Sequence, residues 1–154
     1  MRVKDCMCHN VIQVTPDTSI SEVAKLMDQN KVGCVPVCKD ERIIGFVTDR
    51  DIIVRGVACN KDCNTTMISD IMNINVVKIT PDTELDDAIK VMIKNQIRRL
   101  PVIQDNKIVG MLTLGDLAHN KEIDSEELGH TLECICENTG KHMQNIYEKH
   151  KYKT

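Results

Sequence analysis

Apolar residues recur along this chain at two alternating periods. Asn10-Val11-Ile12-Gln13-Val14 is a short β-branched run ended by Pro16, and Val76-Val77-Lys78-Ile79 repeats it, so both predict a first strand. The period then lengthens. Ile20, Val23, Ala24 and Met27 fall at i, i+3, i+4 and i+7, as do Leu85, Ala88, Ile89 and Met92, which predicts an amphipathic helix in each place. Thr18 or Ser19, and Thr83, stand ready as N-caps. Cys34-Val35-Pro36-Val37-Cys38 and Arg99-Leu100-Pro101-Val102-Ile103 read as second strands. The polar segments at 39–41 and 104–106 turn them into Ile43–Val47 and Ile108–Leu112, giving two hairpins. Thr48 and Thr113 then precede short helices that begin at Asp49 and Leu114. The order is β-α-β-β-α twice, which predicts an α/β fold of the α+β type.

The two halves are copies of one unit. Shifting the sequence by 65 residues aligns 3–52 with 68–117 without a gap, and 18 of those 50 positions are identical. Matches include Thr15-Pro16-Asp17-Thr18 with Thr80-Pro81-Asp82-Thr83, and Gly45-Phe46-Val47-Thr48 with Gly110-Met111-Leu112-Thr113. All 4 prolines fall into matched pairs. A unit of roughly 50 to 60 residues is small for independent stability, so the copies are expected to bury apolar faces against each other.

Composition narrows the function. With 154 residues, 23 acidic and 20 basic side chains, the chain carries a net charge of -3, so it lacks the basic excess that phosphate neutralisation demands of a nucleic-acid binder. Phe46, Tyr147 and Tyr152 are its only aromatics, so the core must be built from Val, Ile, Leu and Met, and any planar ligand meets aliphatic walls. Apolar runs fall far short of the ~18 residues of a membrane span, and Asp5 comes before any stretch that could serve as a signal peptide, so no membrane role and a cytoplasmic location are expected. In a reducing cytoplasm the 8 cysteines stay free thiols. Cys6, Cys8 and His9 become metal ligands only if the fold brings Cys59 and Cys63 to them. No nucleophile–base pair stands out, so the chain is read as non-enzymatic.

The motifs themselves carry a resemblance. Asp5-Cys6-Met7 and Asp70-Ile71-Met72 near the start of each copy, the two T-P-D-T segments, Pro36-Val37 and Pro101-Val102 before each hairpin, and the G-h-h-T-x-x-D endings at Gly45–Asp51 and Gly110–Asp116 together resemble a tandem pair of CBS domains, or Bateman module. The likeness covers about residues 3–118, and 48–56 with 96–102 resemble small bacterial proteins that consist of little but the pair. It implies two repeats about a pseudo-twofold axis, at 1–60 and 68–120, a linker at 61–67, and a C-terminal helix and basic tail over 121–154. It implies a regulatory module that binds AMP, ADP or ATP, or NAD or S-adenosylmethionine, in clefts between the repeats, with no cofactor required. A homodimer of four repeats forming a flat disc, which changes shape with its ligand and is read by a target protein, completes the expectation.

The resemblance assigns Asp51 and Asp116 to the ribose, and Thr48 and Thr113 to neighbouring contacts. It places the phosphate near Arg98 and Arg99, ahead of Leu100 and Pro101; Val35 and Pro36 are their counterparts in the first copy, where Gly33 and Cys34 replace the arginines. Thr15 and Thr80 are assigned to the adenine edge. The residue types suit these roles: a carboxylate accepts from two ribose hydroxyls, a helix start offers backbone N–H groups, and guanidinium forks fit phosphate. Each has a plainer alternative. Thr-x-x-Asp is also a capping box that needs no ligand. Arg98 and Arg99 can be solvated or paired with acids such as Asp116, Arg50 and Arg55 can pair with Asp49 and Asp51, and Thr15 and Thr80 can serve turns. The arginines make the Thr113/Asp116 cleft the expected better site. Further readings are a thiol or metal sensor built on the cysteines and a dimerisation module with empty clefts. Beyond the copies, Asp124-Ser125-Glu126-Glu127-Leu128 starts like a capped helix with a Leu128, Leu132, Ile135 stripe, and the basic stretch from Lys141 reads as a peripheral tail.

Overall fold

The computed structural model describes residues 1–136; the basic stretch from Lys141 lies outside them. Both copies show the expected helices and hairpins. In the first copy, α1 (Ile20–Asn30) leads to the antiparallel pair β1 (Cys34–Lys39) and β2 (Arg42–Thr48), then to a single turn α2 (Asp49–Asp51) that widens into a π-helix over Ile52–Val57. In the second, α3 (Leu85–Asn95), β3 (Arg99–Gln104) and β4 (Lys107–Thr113) are followed by α4 (Leu114–His119) and a last helix, α5, over 125–136. Asp40, Glu41, Asp105 and Asn106 all take positive φ, from 50° to 64°, the two-residue turn whose twist matches a hairpin.

The first strands are much shorter than the periodicity predicts. Each is reduced to a single parallel bridge, Val14 with Val37 and Ile79 with Val102. The prolines supply the reason. Val14 donates to the Pro36 carbonyl at 3.1 Å and accepts from Cys38 at 2.8 Å. The next rung on one side needs an amide from residue 36 and on the other side one from residue 16, and proline offers neither. Pro81 and Pro101 stand in the same places in the second copy, so the 4 prolines clip both ladders to one rung.

The chain forms two compact units whose boundaries cross those of the repeats. One contains Asn10–Lys78 and Ile103–Val109; the other contains Met1–His9, Ile79–Val102 and, of the described residues, 110–136. The segment that opens each repeat therefore packs in the unit of the other repeat. Val3 donates to the Thr83 carbonyl and Lys4 to that of Pro81, while Ile68 and Ser69 do the same to Thr18 and Pro16. Val3 and Ile68, each the first residue of a short 3-10 turn, are fully buried. These straps then run along β4 and β2: Cys8 and Met111 exchange both amide bonds at 2.9 Å, as do Phe46 and Asn73 at 2.8 and 2.7 Å. Glycine permits the approach. A Cβ at Gly45 would lie 2.5 Å from Met72 Sδ, and one at Gly110 would lie 2.5 Å from Met7 Sδ, which ties the D-x-M and G-h-h-T motifs into one packing element.

The straps also change the helix caps. Ser19 caps α1 in a capping box with Glu22. At α3 the cap position is Glu84 with no side-chain bond, and the expected Thr83 turns instead toward Thr80. Main-chain carbonyls substitute: Leu85 donates to Met1, as Ile20 donates to Thr66 and Ser21 to Cys63. The segment joining the repeats thus caps α1.

The core is aliphatic, as the composition requires. Around α1 and the first hairpin it contains Val14, Ile20, Val23, Met27, Val35, Val37, Val47, Ile52, Ile68 and Ile71. Ala24, expected on the apolar stripe, is exposed, and Leu26 packs partly against the core instead. In α3 all four predicted positions are buried. On α5 the inward side is Leu128, Thr131 and Ile135; Leu132 is exposed, and the buried Thr131 hydroxyl donates to the Glu127 carbonyl at 2.9 Å.

Candidate functional site

Each unit carries one set of the candidate residues. Thr80, Arg98, Arg99, Leu100, Pro101, Thr113 and Asp116 belong to one, and Thr15, Val35, Pro36, Thr48 and Asp51 to the other. Val35 and Leu100 are fully buried and Pro36 and Pro101 are buried beside them, and the Pro36 and Pro101 carbonyls accept from Val14 and Ile79. Thr15 and Thr80 are exposed, but their hydroxyls are engaged in turns, Thr15 with Asp17 and Thr18, Thr80 with Thr83.

Both Thr-x-x-Asp segments form capping boxes. In the second copy Asp116 Oδ2 accepts from the Thr113 amide at 2.8 Å and from its hydroxyl at 2.7 Å, and Thr113 Oγ1 accepts from the Asp116 amide at 3.2 Å. The Thr48–Asp51 box has the same bonds at 2.9, 2.9 and 3.2 Å. The helix starts offer fewer free amides than expected. Leu114 donates to the Arg98 carbonyl and Asp49 to that of Gly33, Asp116 and Asp51 donate within their boxes, and Arg50 donates to the Asp49 carboxylate.

Beyond the boxes the copies diverge. Asp51 Oδ2 also accepts from Asn73 Nδ2 at 2.8 Å, and its Oδ1 lies 3.9 Å from Arg55 Nε. Arg55 is held in turn by the Ile71 carbonyl at 3.0 Å and Asn73 Oδ1 at 2.9 Å. Asp116 bonds only Thr113 through Oδ2; its Oδ1 has no hydrogen-bond or ion-pair partner among the described residues. Asp116 also borders an open cavity of about 760 Å³, within the size range of small-molecule sites. Its wall mixes the carboxylates of Asp5 and Glu122 with His119, Asn120 and Lys121, and with the sulfur atoms of Met1 and Cys6. His119 is oriented there by a 2.7 Å contact of Nδ1 with the Gly115 carbonyl.

Arg98 precedes β3 and Arg99 opens it, and the Arg98 carbonyl receives the first amide of α4, so the arginines and the Thr113–Asp116 box occupy one end of one unit. Neither guanidinium has an ion-pair or hydrogen-bond partner among the described residues, and the pairing with Asp116 is not formed. Arg55 does approach Asp51, but its stronger bonds go to the strap. Asn73 and Asn120 were not singled out by sequence. The signal was there: Asn73 aligns with Cys8 and Arg55 with Asn120, two changes beside motifs that otherwise repeat.

The cysteines are all free thiols. Cys59 and Cys63 donate to backbone carbonyls, and Cys6 lies 3.2 Å from Met1 Sδ. Burial pushes the Cys38 thiol pKa up, which suits a small hydrophobe better than a thiolate ligand. Among the described residues no group of three or more His, Cys, Asp or Glu side chains could hold a metal ion; Cys6, Cys8 and His9 belong to one unit and Cys59 and Cys63 to the other. Among them, too, no helix is long and apolar enough to cross a membrane.

Comparison with known proteins agrees with the motifs. The CBS domain model matches twice, at residues 3–57 and 68–122. A CBS domain-containing protein of Bacillus subtilis, YhcV, is 41% identical over 130 residues, covering 84% of this chain and 91% of that protein. Hypoxic response protein 1 of Mycobacterium tuberculosis is 30% identical over 118 residues, covering 76% and 82%. Among solved structures, Hypoxic Response Protein I with two coordinated zinc ions superposes with a TM-score of 0.69 at 29% identity over 77% of this chain and 97% of that one. The CBS domain pair of protein MJ0100, in complex with 5′-methylthioadenosine and S-adenosyl-L-methionine, gives 0.69 at 28% identity with the same coverage.

Proposed function

This chain belongs to the CBS-domain family, and from that premise we propose that it is a regulatory module that takes an adenosine-containing ligand at the Thr113–Asp116 box of its second repeat. One observation carries the reading: among the described residues Asp116 keeps one carboxylate oxygen without a partner at the edge of an open cavity. The box fixes the carboxylate through Oδ2, so Oδ1 can accept from a ribose hydroxyl without the loss of rotamer freedom that a loose side chain suffers on binding. Charge-assisted hydrogen bonds of this type contribute about 1.5 to 3 kcal/mol each. The unpaired guanidiniums of Arg98 and Arg99 at the same end of the unit suit phosphate, so AMP, ADP or ATP fit better than an uncharged adenosine. A neighbour that holds two adenosine derivatives supports the base and sugar.

The module works without catalysis. Its ligand shifts a population between two conformations by binding one of them more tightly, and a target protein reads the difference. We place this in the cytoplasm, where eight thiols stay reduced, and in a homodimer. A thermal denaturation series with AMP, ATP, NAD and S-adenosylmethionine tests the reading. Ligand at about 100 times its Kd stabilises the native state by about 2.7 kcal/mol, and the melting temperature rises accordingly. The rise must vanish in Asp116→Ala. No shift with any of the four, or an undiminished shift in that variant, overturns it.

A further inference from the structure

We propose that Arg55 and Asn73 form an internal latch that keeps the Asp51 box closed to ligand, so that the chain fills one of its two homologous boxes rather than both. The proposal rests on the reading of Asp116 as a ribose-binding carboxylate and adds a control over the sister site.

The hydrogen bonds are the basis. Asp51 Oδ2 accepts three of them, from the Thr48 amide, the Thr48 hydroxyl and Asn73 Nδ2, which exhausts that oxygen. Oδ1, the atom left free in Asp116, faces Arg55 Nε at 3.9 Å. The two latch residues orient each other. Asn73 Oδ1 accepts from Arg55 Nη2, which turns the Asn73 amide nitrogen toward Asp51, and the Ile71 carbonyl anchors Nη1. A sugar hydroxyl reaching Asp51 must displace a guanidinium that already holds a carboxylate, a carbonyl and an amide. The Asp51 side chain is left only 13% exposed.

The second copy serves as an internal control. The strap holds Cys8 against Met111 by the same pair of backbone bonds that holds Asn73 against Phe46, so the two side chains occupy equivalent places. Among the described residues Asp116 nevertheless receives no bond beyond its own box. Asn120, the counterpart of Arg55, donates to Met1 Sδ at 3.0 Å and Cys6 Sγ at 2.9 Å, not to the carboxylate. Helix geometry reinforces the difference. The π-helix over Ile52–Val57 carries the chain past Arg55, whereas α4 stops at His119 and Asn120 Oδ1 accepts from the Glu122 amide, ending the helix.

Carboxylate footprinting of the full chain, with a carbodiimide and glycine ethyl ester and peptide mass spectrometry, reads the latch without any ligand. In the wild type Asp51 is modified about tenfold more slowly than Asp116, the ratio expected from displacing one charge-assisted hydrogen bond. Exchanging in the second copy's residues, Arg55→Asn with Asn73→Cys, brings the two rates together; Asn73→Ala alone closes part of the gap should the double variant fail to fold. Equal rates in the wild type, or an unchanged gap in a folded double variant, overturn the latch. Calorimetry with AMP then separates the two ideas. Asp116→Ala binds no AMP, and adding Arg55→Asn with Asn73→Cys restores one site; failure of that pair to restore binding overturns the latch, whereas undiminished binding by Asp116→Ala alone overturns the nucleotide reading of Asp116. If AMP binds neither the wild type nor the double variant, the nucleotide reading falls, and the footprinting ratio alone decides whether Asp51 is shielded.

Discussion

The Thr48–Asp51 and Thr113–Asp116 boxes share their backbone path, their bonds and nearly their distances, yet among the described residues one carboxylate is also held from outside its box and the other is not. The difference comes from residues outside the box. Asn73 and Arg55 reach Asp51 from a strap and from a π-helical turn, whereas Asn120, the counterpart of Arg55, bonds Met1 and Cys6 instead of Asp116. Duplication preserved what the backbone needs, namely the clipping prolines, the glycine under the strap and the cap at the helix start. It left the side chains that decide access free to diverge. A motif match therefore reports a scaffold, and its occupancy has to be read from the neighbours.

The largest expected effect tests the equivalence of the cores. Leu100 and Val35 are counterparts and both fully buried. Leu100→Ala leaves the larger cavity and costs about 3 to 4 kcal/mol, against about 2 kcal/mol for Val35→Ala, measured by urea denaturation. Comparable losses from the two would mean that the cores relax differently around the hole. Next come the strap glycines. Gly45→Ala meets the Asn73 carbonyl at 2.9 Å as well as Met72, while Gly110→Ala meets the Cys8 carbonyl at 3.1 Å. Overpacking makes the first cost about 2 to 3 kcal/mol and the second about 1 to 2 kcal/mol, on the same assay.

The aspartates sharpen the contrast because their ranks should cross. Asp51 accepts one more hydrogen bond than Asp116, so Asp51→Ala is expected to cost about 2 kcal/mol of stability and Asp116→Ala about 1 kcal/mol. In AMP titrations the order reverses: Asp116→Ala abolishes the ligand-induced rise in melting temperature and Asp51→Ala leaves it. Parallel losses in both assays would erase the distinction between the boxes.

The smallest effect concerns how the straps are held. Lys4 Nζ at 2.8 Å and Arg2 Nη1 at 3.0 Å both bond Asp82, and these bonds, Lys4 first, hold its carboxyl below the usual range. Asp17, its counterpart, is lowered by the Thr15 hydroxyl instead, and the residues matching Arg2 and Lys4 are Met67 and Ser69, which carry no charge. A carboxyl with a depressed native pKa contributes stability that is present above its ordinary pKa near 3.8 and is lost as the pH falls through the native value. Melting scans from neutral pH into acid should therefore show a shallower acid loss in Asp82→Asn than in the wild type. High salt should mimic part of that effect at Asp82 and none of it at Asp17.

Much of this was legible from residue order. The alternation of periods placed α1, α3 and both hairpins, and the repeat with its motifs pointed to the family. The misplacements have local causes. Asn10–Val14 and Val76–Ile79 have strand composition, but a β-branched run does not reveal that its partner lacks amides, and the prolines shorten both to one rung. Ala24 satisfies the helical period yet is exposed, while Leu26, nearly opposite it on the helix, packs partly against the core. Thr83 looks like a cap, yet the cap of α3 is supplied by a carbonyl 84 residues away, from Met1. Thr-x-x-Asp was readable either as a cap or as a ligand contact; it forms the cap in both copies, and only the second leaves an oxygen over.

Local sequence determined whatever depends on neighbours along the chain: helical period, turn chemistry, capping boxes and the doubling of all three, because these bonds close within a few residues. Tertiary structure alone decided which strap lies on which hairpin, that Asn73 and Arg55 meet at Asp51, and that Asp116 is left open. Those outcomes depend on side chains 18 to 22 residues apart being brought within 3 Å, and no spacing rule in a linear sequence encodes such a meeting.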